Sequence, residues 1–150
     1  MESSLKLSDQ ICFPVYAASR LIIRKYTPYL DELGLSYPQY LVMLVLWEED
    51  HVPVRHIVEK LLLNTNTVTP LLQRLETMGL LNRKKCPEDE RRVIVTLTAK
   101  GKKLKEKAAD IPQDMSGCLL SDQISVADLS QLVKTLNQLI VQLGCGAEDQ

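Results

Sequence analysis

Cys12 stands next to Phe13 and four residues before Tyr16, close to a point where the chain can begin a helix. The nucleophilic form of cysteine is the thiolate, and an unperturbed thiol of pKa about 8.5 is mostly protonated at neutral pH. A helix N-terminus and phenolic donors both favour the ionised form, so this neighbourhood suits a thiol that attacks an electrophile. The plainer reading of a single cysteine among apolar residues is a small hydrophobe in a core. The residues alone leave both open. Cysteines 86, 118 and 145 stand far from it and from one another, which argues against a disulfide framework. Cys86 and Cys145 are read as packing residues.

A second group is Asn64-Thr65-Asn66-Thr67-Val68-Thr69-Pro70, dense in short donors and acceptors, with Gln73 and Arg74 following. Helix N-termini that read base edges in a major groove present such groups; ordinary helix caps are made of them too. A third is the cationic set Arg83, Lys84, Lys85, Arg91 and Arg92 around the polar turn Cys86-Pro87-Glu88-Asp89-Glu90. The whole chain carries a net charge of −1, yet residues 81–107 alone sum to +6, between flanking stretches of −2 and −5. That block points to a local electropositive face. For Lys100 to Lys107 a merely solvated lysine-rich helix explains the sequence equally well.

These groups need elements to position them. Ile11 to Leu30 has helical spacing, with Pro14 placed for a first turn and Pro28 marking a new start or a kink. Ser36 is an N-cap signal for a helix over Tyr37 to Glu48. Pro53 closes a short loop before an amphipathic helix, Val54 to Leu62, expected to turn Ile57, Val58, Leu61 and Leu62 inward. Asn64 or Thr65 caps the next helix, which runs to Met78 on Val68, Leu71, Leu72 and Leu75, with Gly79 as its terminator. Leu81 to Lys85 and Arg92 to Leu97 read as a hairpin. Thr98 caps a long helix through the lysine run. Val126 to Leu143 shows Leu129, Leu132, Val133, Leu136, Leu139, Ile140 and Leu143, the spacing of a helical seam.

The chain of 150 residues, 45% apolar and 25% charged, is long enough for one core without staples. Its longest apolar run, Leu41 to Trp47, is far short of the roughly 20 residues of a membrane span. Met1-Glu2-Ser3-Ser4 lacks the features of a signal peptide, so a cytoplasmic protein is expected. No Gly-rich phosphate loop and no metal-ligand spacing is present: His51, His56 and Cys86 are not linked by any such motif. No cofactor is expected. Aromatics are absent after Trp47, which disfavours an RNA-stacking sheet. Helix, short helix, tight turn, helix and hairpin is the order of a winged helix-turn-helix, mainly α with a small β wing, and its expected partner is double-stranded DNA. The terminal seam and the apolar first helix exceed what so small a lobe can cover, and favour a two-fold dimer over an intramolecular bundle. The whole chain, 1–150, is taken as one domain, with a DNA-binding lobe at about 37–97 and dimerisation helices at about 8–35 and 98–145.

The stretches Gln10 to Tyr16, Tyr26, Gly34 to Glu48, Asn66 to Leu72 and Asp89 to Arg92 resemble the organic-hydroperoxide-sensing (OhrR) branch of the MarR family, over about residues 7–145. The resemblance implies a homodimeric winged-helix repressor whose reduced form binds a palindromic operator and whose oxidation by organic hydroperoxides releases it. It makes Cys12 the sensing thiol, with Phe13 and Tyr16 beside it. Tyr26 and Tyr37 become the tyrosines that reach it from the partner subunit. It makes Arg91 the wing arginine, oriented by Asp89. In two-cysteine members a second thiol resolves the oxidised one between subunits, and Cys118 lies near that position. Pro14 stands where relatives usually carry a small or aliphatic residue. The DNA-contact candidates are Thr65, Asn66, Thr67, Thr69, Gln73, Arg74, Asp89, Arg91 and Arg92. The reading is of a regulator and not an enzyme. A thiol peroxidase would need a C-x-x-C pair or thioredoxin-like strand order, and neither is present. The alternative is a regulator without redox chemistry that binds a small aromatic ligand in the dimer-interface pocket.

Overall fold

The computed structural model describes residues 5–144; Cys145 lies outside them. The chain divides into two compact units, one ending at Asp110 and one beginning at Ile111. In the first, a single 3-10 turn (Leu7–Asp9) leads into α1 (Cys12–Leu33), a 22-residue helix that accommodates Pro28 in its interior. Gly34 ends it at φ 70°, with Leu35 N–H returning to the Leu30 carbonyl, the left-handed stop that glycine adopts without a Cβ penalty. Ser36 then caps α2 (Tyr37–Glu48): its hydroxyl accepts from Gln39 N–H while the Gln39 amide oxygen accepts from Ser36 N–H. This reciprocal box explains why the polar Gln39 is buried. Helix α2 is the centre of the unit, burying Tyr40, Val42, Met43 and Leu46.

Next come β1 (Val52–Pro53), α3 (Val54–Leu61), α4 (Thr65–Thr77), β2 (Leu81–Lys85), β3 (Val93–Leu97) and α5 (Ala99–Ala108). Ile57, Val68, Leu72, Leu75, Leu80, Leu81 and Val95 complete the core. The sheet is antiparallel in the order β1-β3-β2, with Val95 opposite both Val52 and Arg83. It therefore has one strand more than the expected hairpin. A two-residue strand carries no alternation to read, and Pro53, lacking an N–H, sits at a sheet edge where none is needed. The second hairpin strand begins at Val93, one residue later than expected.

One further expectation is corrected. Leu62 is not turned inward: it is 66% exposed, at φ 55°, and forms the left-handed stop of α3. Helix α5, capped by Thr98, runs through the lysine stretch as expected, ends at Ala108 and is followed by a turn. Pro112 accounts for the break, since it has no N–H to give to the Ala108 carbonyl. Close packing holds α5 in place. A Cβ on Gly101 would collide with the Leu80 carbonyl, and the Trp47 indole N–H donates to the Gly101 carbonyl at 2.9 Å.

The second unit contains α6 (Ile111–Leu119), a tight turn bridging Ser121 and Ile124, and α7 (Val126–Gly144). Ser125 and Asp128 cap α7 reciprocally. The α7 residues Leu132, Val133, Leu139, Ile140 and Leu143 are 41–68% exposed. No helix among the described residues is long and apolar enough to cross a membrane.

Candidate nucleic-acid interface and thiol site

Helix α4 begins at an Asn64 cap, whose side-chain oxygen accepts from both the N–H and the hydroxyl of Thr67 at 2.9 and 3.0 Å. Of the two cap residues the sequence allowed, Asn64 is the one used. Val68, Leu72 and Leu75 are buried, while Thr65, Asn66, Thr67, Gln73 and Arg74 are exposed and Thr69 is half-buried. The amphipathic division leaves a polar stripe at the start of the helix with α2 and α3 behind it.

The hairpin turn is built by the backbone. Cys86 N–H donates to the Arg92 carbonyl at 2.7 Å, and Arg92 N–H to the Asp89 carbonyl at 3.0 Å. The Asp89 carboxylate accepts from the Arg91 backbone N–H at 3.0 Å; among the described residues no ion pair joins it to the Arg91 guanidinium. Asp89 thus acts on Arg91 by shaping the chain beneath it. Arg91, Arg92, Lys84 and Lys85 are exposed. Arg83 is not part of this fringe. It is half-buried, and both its N–H and its guanidinium donate to Glu76, at 2.8 and 3.2 Å. Those two hydrogen bonds, the guanidinium's first, hold the Glu76 carboxyl below the usual carboxylate range.

The lysine run is partly committed elsewhere. Lys100 Nζ donates to the Met78 carbonyl at the end of α4, and Lys105 Nζ to the Trp47 carbonyl in the last turn of α2. Cations at helix C-termini complement the helix dipole. Lys102 approaches Asp50 at 4.0 Å.

Cys12 is the first residue of α1 and is exposed, as are Phe13 and Tyr16; Arg20 lies over the Tyr16 ring at 5.3 Å. Tyr26 and Tyr37 meet each other, with ring centroids 5.0 Å apart. Within one chain these tyrosines do not reach the thiol. Cys12 and Tyr26 are 14 residues apart on one continuous helix, about 21 Å at 1.5 Å per residue. Sequence reasoning missed the remainder of this aromatic group. Tyr40 lies 5.9 Å from Tyr26 and 6.4 Å from Tyr37, and meets Trp47 edge-on at 6.3 Å. The spacing 37, 40, 47 on α2 was the available signal. Burial raises the phenol pKa of Tyr26, Tyr37 and Tyr40 above the ordinary 10.0. Cys118 is exposed in the last turn of α6.

The family described as transcriptional regulator SarA/Rot matches residues 24–108. The organic hydroperoxide resistance transcriptional regulator of Bacillus subtilis is 47% identical over 139 residues, covering 93% of this chain and 92% of the relative. Two solved structures of AbfR, a Staphylococcus epidermidis protein, are also similar. Reduced AbfR bound to DNA is 36% identical, covering 91% of this chain and 93% of that one, with a TM-score of 0.75. Disulfide-formed AbfR is 35% identical over 91% of each chain, with a TM-score of 0.64. A MarR-family regulator of Rhodococcus, 23% identical with a TM-score of 0.78, shares the winged-helix fold, and by the matches above the chain belongs to the SarA/Rot-type transcriptional regulators, in the group of the organic hydroperoxide resistance regulators.

Proposed function

We propose that this protein is a repressor that binds DNA as a reduced homodimer and lets go when Cys12 is oxidised by an organic hydroperoxide. The observation that carries the reading is the placement of an exposed thiol at the N-terminus of α1, among exposed apolar and aromatic neighbours and about 21 Å along that helix from the paired phenols. No bending within one chain closes that gap. A second copy with its α1 running the other way brings each thiol to the partner's tyrosines, and it also covers the exposed Ile11, Phe13, Val15, Leu21 and Ile23.

In this reading the Cys12 thiolate attacks the outer peroxide oxygen of ROOH. The O–O bond breaks, the alcohol ROH leaves with one proton, and sulfur keeps the other oxygen as a sulfenic acid. A thiol then displaces that oxygen as water to form a disulfide, and Cys118 of the other subunit is the proposed partner. Apolar and aromatic walls favour alkyl over hydrogen peroxide. The relatives support this direction: one is named for organic hydroperoxide resistance, and AbfR has been solved both reduced on DNA and in a disulfide form.

On DNA, the start of α4 enters the major groove, where Thr65, Asn66, Thr67, Thr69 and Gln73 face base edges and Arg74 the backbone. The wing places Arg91 and Arg92 along the phosphates or in the minor groove, on a turn that Asp89 shapes. Cumene hydroperoxide added to the protein–DNA complex tests the proposal. Wild type is expected to dissociate and Cys12→Ser to stay bound. If the serine variant dissociates equally well, the sensor is not Cys12, and an aromatic ligand held between subunits becomes the better account.

A further inference from the structure

Glu76 and Arg83 join the recognition helix to the wing. Glu76 lies in the last turn of α4, and Arg83 is the middle residue of β2. Strand β2 is an edge of the sheet, and the Arg83 N–H, instead of pairing with a neighbouring strand, donates to Glu76 Oε2 at 2.8 Å. The guanidinium Nη2 donates to Oε1 of the same carboxylate at 3.2 Å. Both carboxylate oxygens are thereby used, one on the backbone of the wing and one on its side chain. Nε of Arg83 is buried without a partner, so Glu76 is the one acceptor this half-buried cation has among the described residues. A buried donor without an acceptor is costly, and the structure keeps this one.

We infer that the Glu76–Arg83 pair fixes the wing against the recognition helix, so that Arg91 meets the DNA in register with α4. The inference rests on the reading that α4 and the wing both contact DNA. Neither residue touches DNA itself; they are positioning residues. A carboxylate that grips both a backbone N–H and a guanidinium constrains the strand in position and in twist, which a single hydrogen bond does not. Because β2 and β3 share one turn, a shift at Arg83 is carried to Arg91.

The test uses the reduced full-length protein and a duplex enriched by the wild type from a random-sequence library. Affinity and thermal melting are measured for Glu76→Ala, Glu76→Gln, Arg83→Lys and Arg91→Ala, and for each pairwise combination with Arg91→Ala. Glu76→Ala is expected to weaken binding about tenfold beyond any loss of folded protein. Glu76→Gln, which keeps an acceptor for the Arg83 N–H, is expected to weaken it less. The penalty of Arg91→Ala is expected to shrink severalfold in the Glu76→Ala background, because a misplaced wing has less to lose. If the two penalties multiply independently in folded protein, the pair is only a stability element and the inference is wrong. If Glu76→Ala does not fold, Glu76→Gln and Arg83→Lys carry the same comparison. If Arg91→Ala itself leaves affinity unchanged, it is the wing reading that fails, and the positioning role with it.

Discussion

Three phenols on α1 and α2 change what alkaline pH does to this protein. Tyr26, Tyr37 and Tyr40 pack ring to ring, and burial raises the pKa of each above 10.0; for Tyr26 and Tyr40 the neighbouring phenols add to the effect. A group whose pKa is raised by folding resists ionisation that the unfolded chain accepts. Stability is therefore intact below pH 10 and is lost as pH rises from there through the raised values. Absorbance at 295 nm should show some of the five tyrosines titrating late, with the late step vanishing in denaturant. Tyr37→Phe should remove part of the late step. A single ordinary transition near pH 10 would mean the cluster is open to water. Glu76 gives the opposite sign. Its folded pKa is lowered by Arg83, so the pair's stabilisation is present above the carboxylate's ordinary 4.5 and fades as pH falls below it. The stability gap between wild type and Glu76→Gln should close in acid. At Leu62 the backbone is at fault. A leucine at φ 55° pays a left-handed cost that glycine does not, and at 66% exposure it recovers little by burial. Leu62→Gly should raise stability by about 1 kcal/mol in chemical denaturation.

At the scale of elements, the lysines of α5 show why a charge sum alone misjudges an interface. Lys100 and Lys105 sit on the final carbonyls of α4 and α2, where each cation contributes about 0.3–1 kcal/mol. Changing both to Met should lower the melting temperature while leaving the slope of log K against log salt as it was. Arg91→Ala should do the reverse, with little change in melting and a slope reduced by about one phosphate contact. Equal slope changes would put α5 on the DNA as well. The caps at Ser36 and Thr98, a cap at Asn64 or Thr65 and the terminator Gly79 were legible in the sequence because each depends on a few local residues. What escaped was non-local or too short to show a period. Strand β1 exists because Val52 finds Val95. Arg83 looked like its basic neighbours until Glu76 was found beside it. Tyr40 and Trp47 were not singled out, although they extend the phenol pair.

For the whole molecule, the reading turns on two copies. Apolar side chains are exposed on two helices, Phe13, Val15 and Leu21 on α1 and Leu132, Val133 and Ile140 on α7, and such faces suit a partner surface. In the proposed dimer the covered α1 face sets the distance between the two α4 helices, and a rigid pair of reading heads must match the DNA repeat of about 34 Å. Binding should therefore depend on the phase of the half-sites and not only on their sequence. Inserting about five base pairs, half a helical turn, between the half-sites of the selected duplex rotates one to the opposite face and should reduce affinity to the non-specific level. Inserting about ten restores the face but lengthens the span, and should recover little if the dimer is stiff. If, as proposed, oxidation joins Cys12 to Cys118 of the other subunit and releases DNA, the reduced protein should show the phase dependence and the peroxide-treated protein should lose affinity for every spacing alike. A wild type that tolerates the five-base-pair insertion would mean that its lobes bind independently. The thiol would then have no common frame through which to release them.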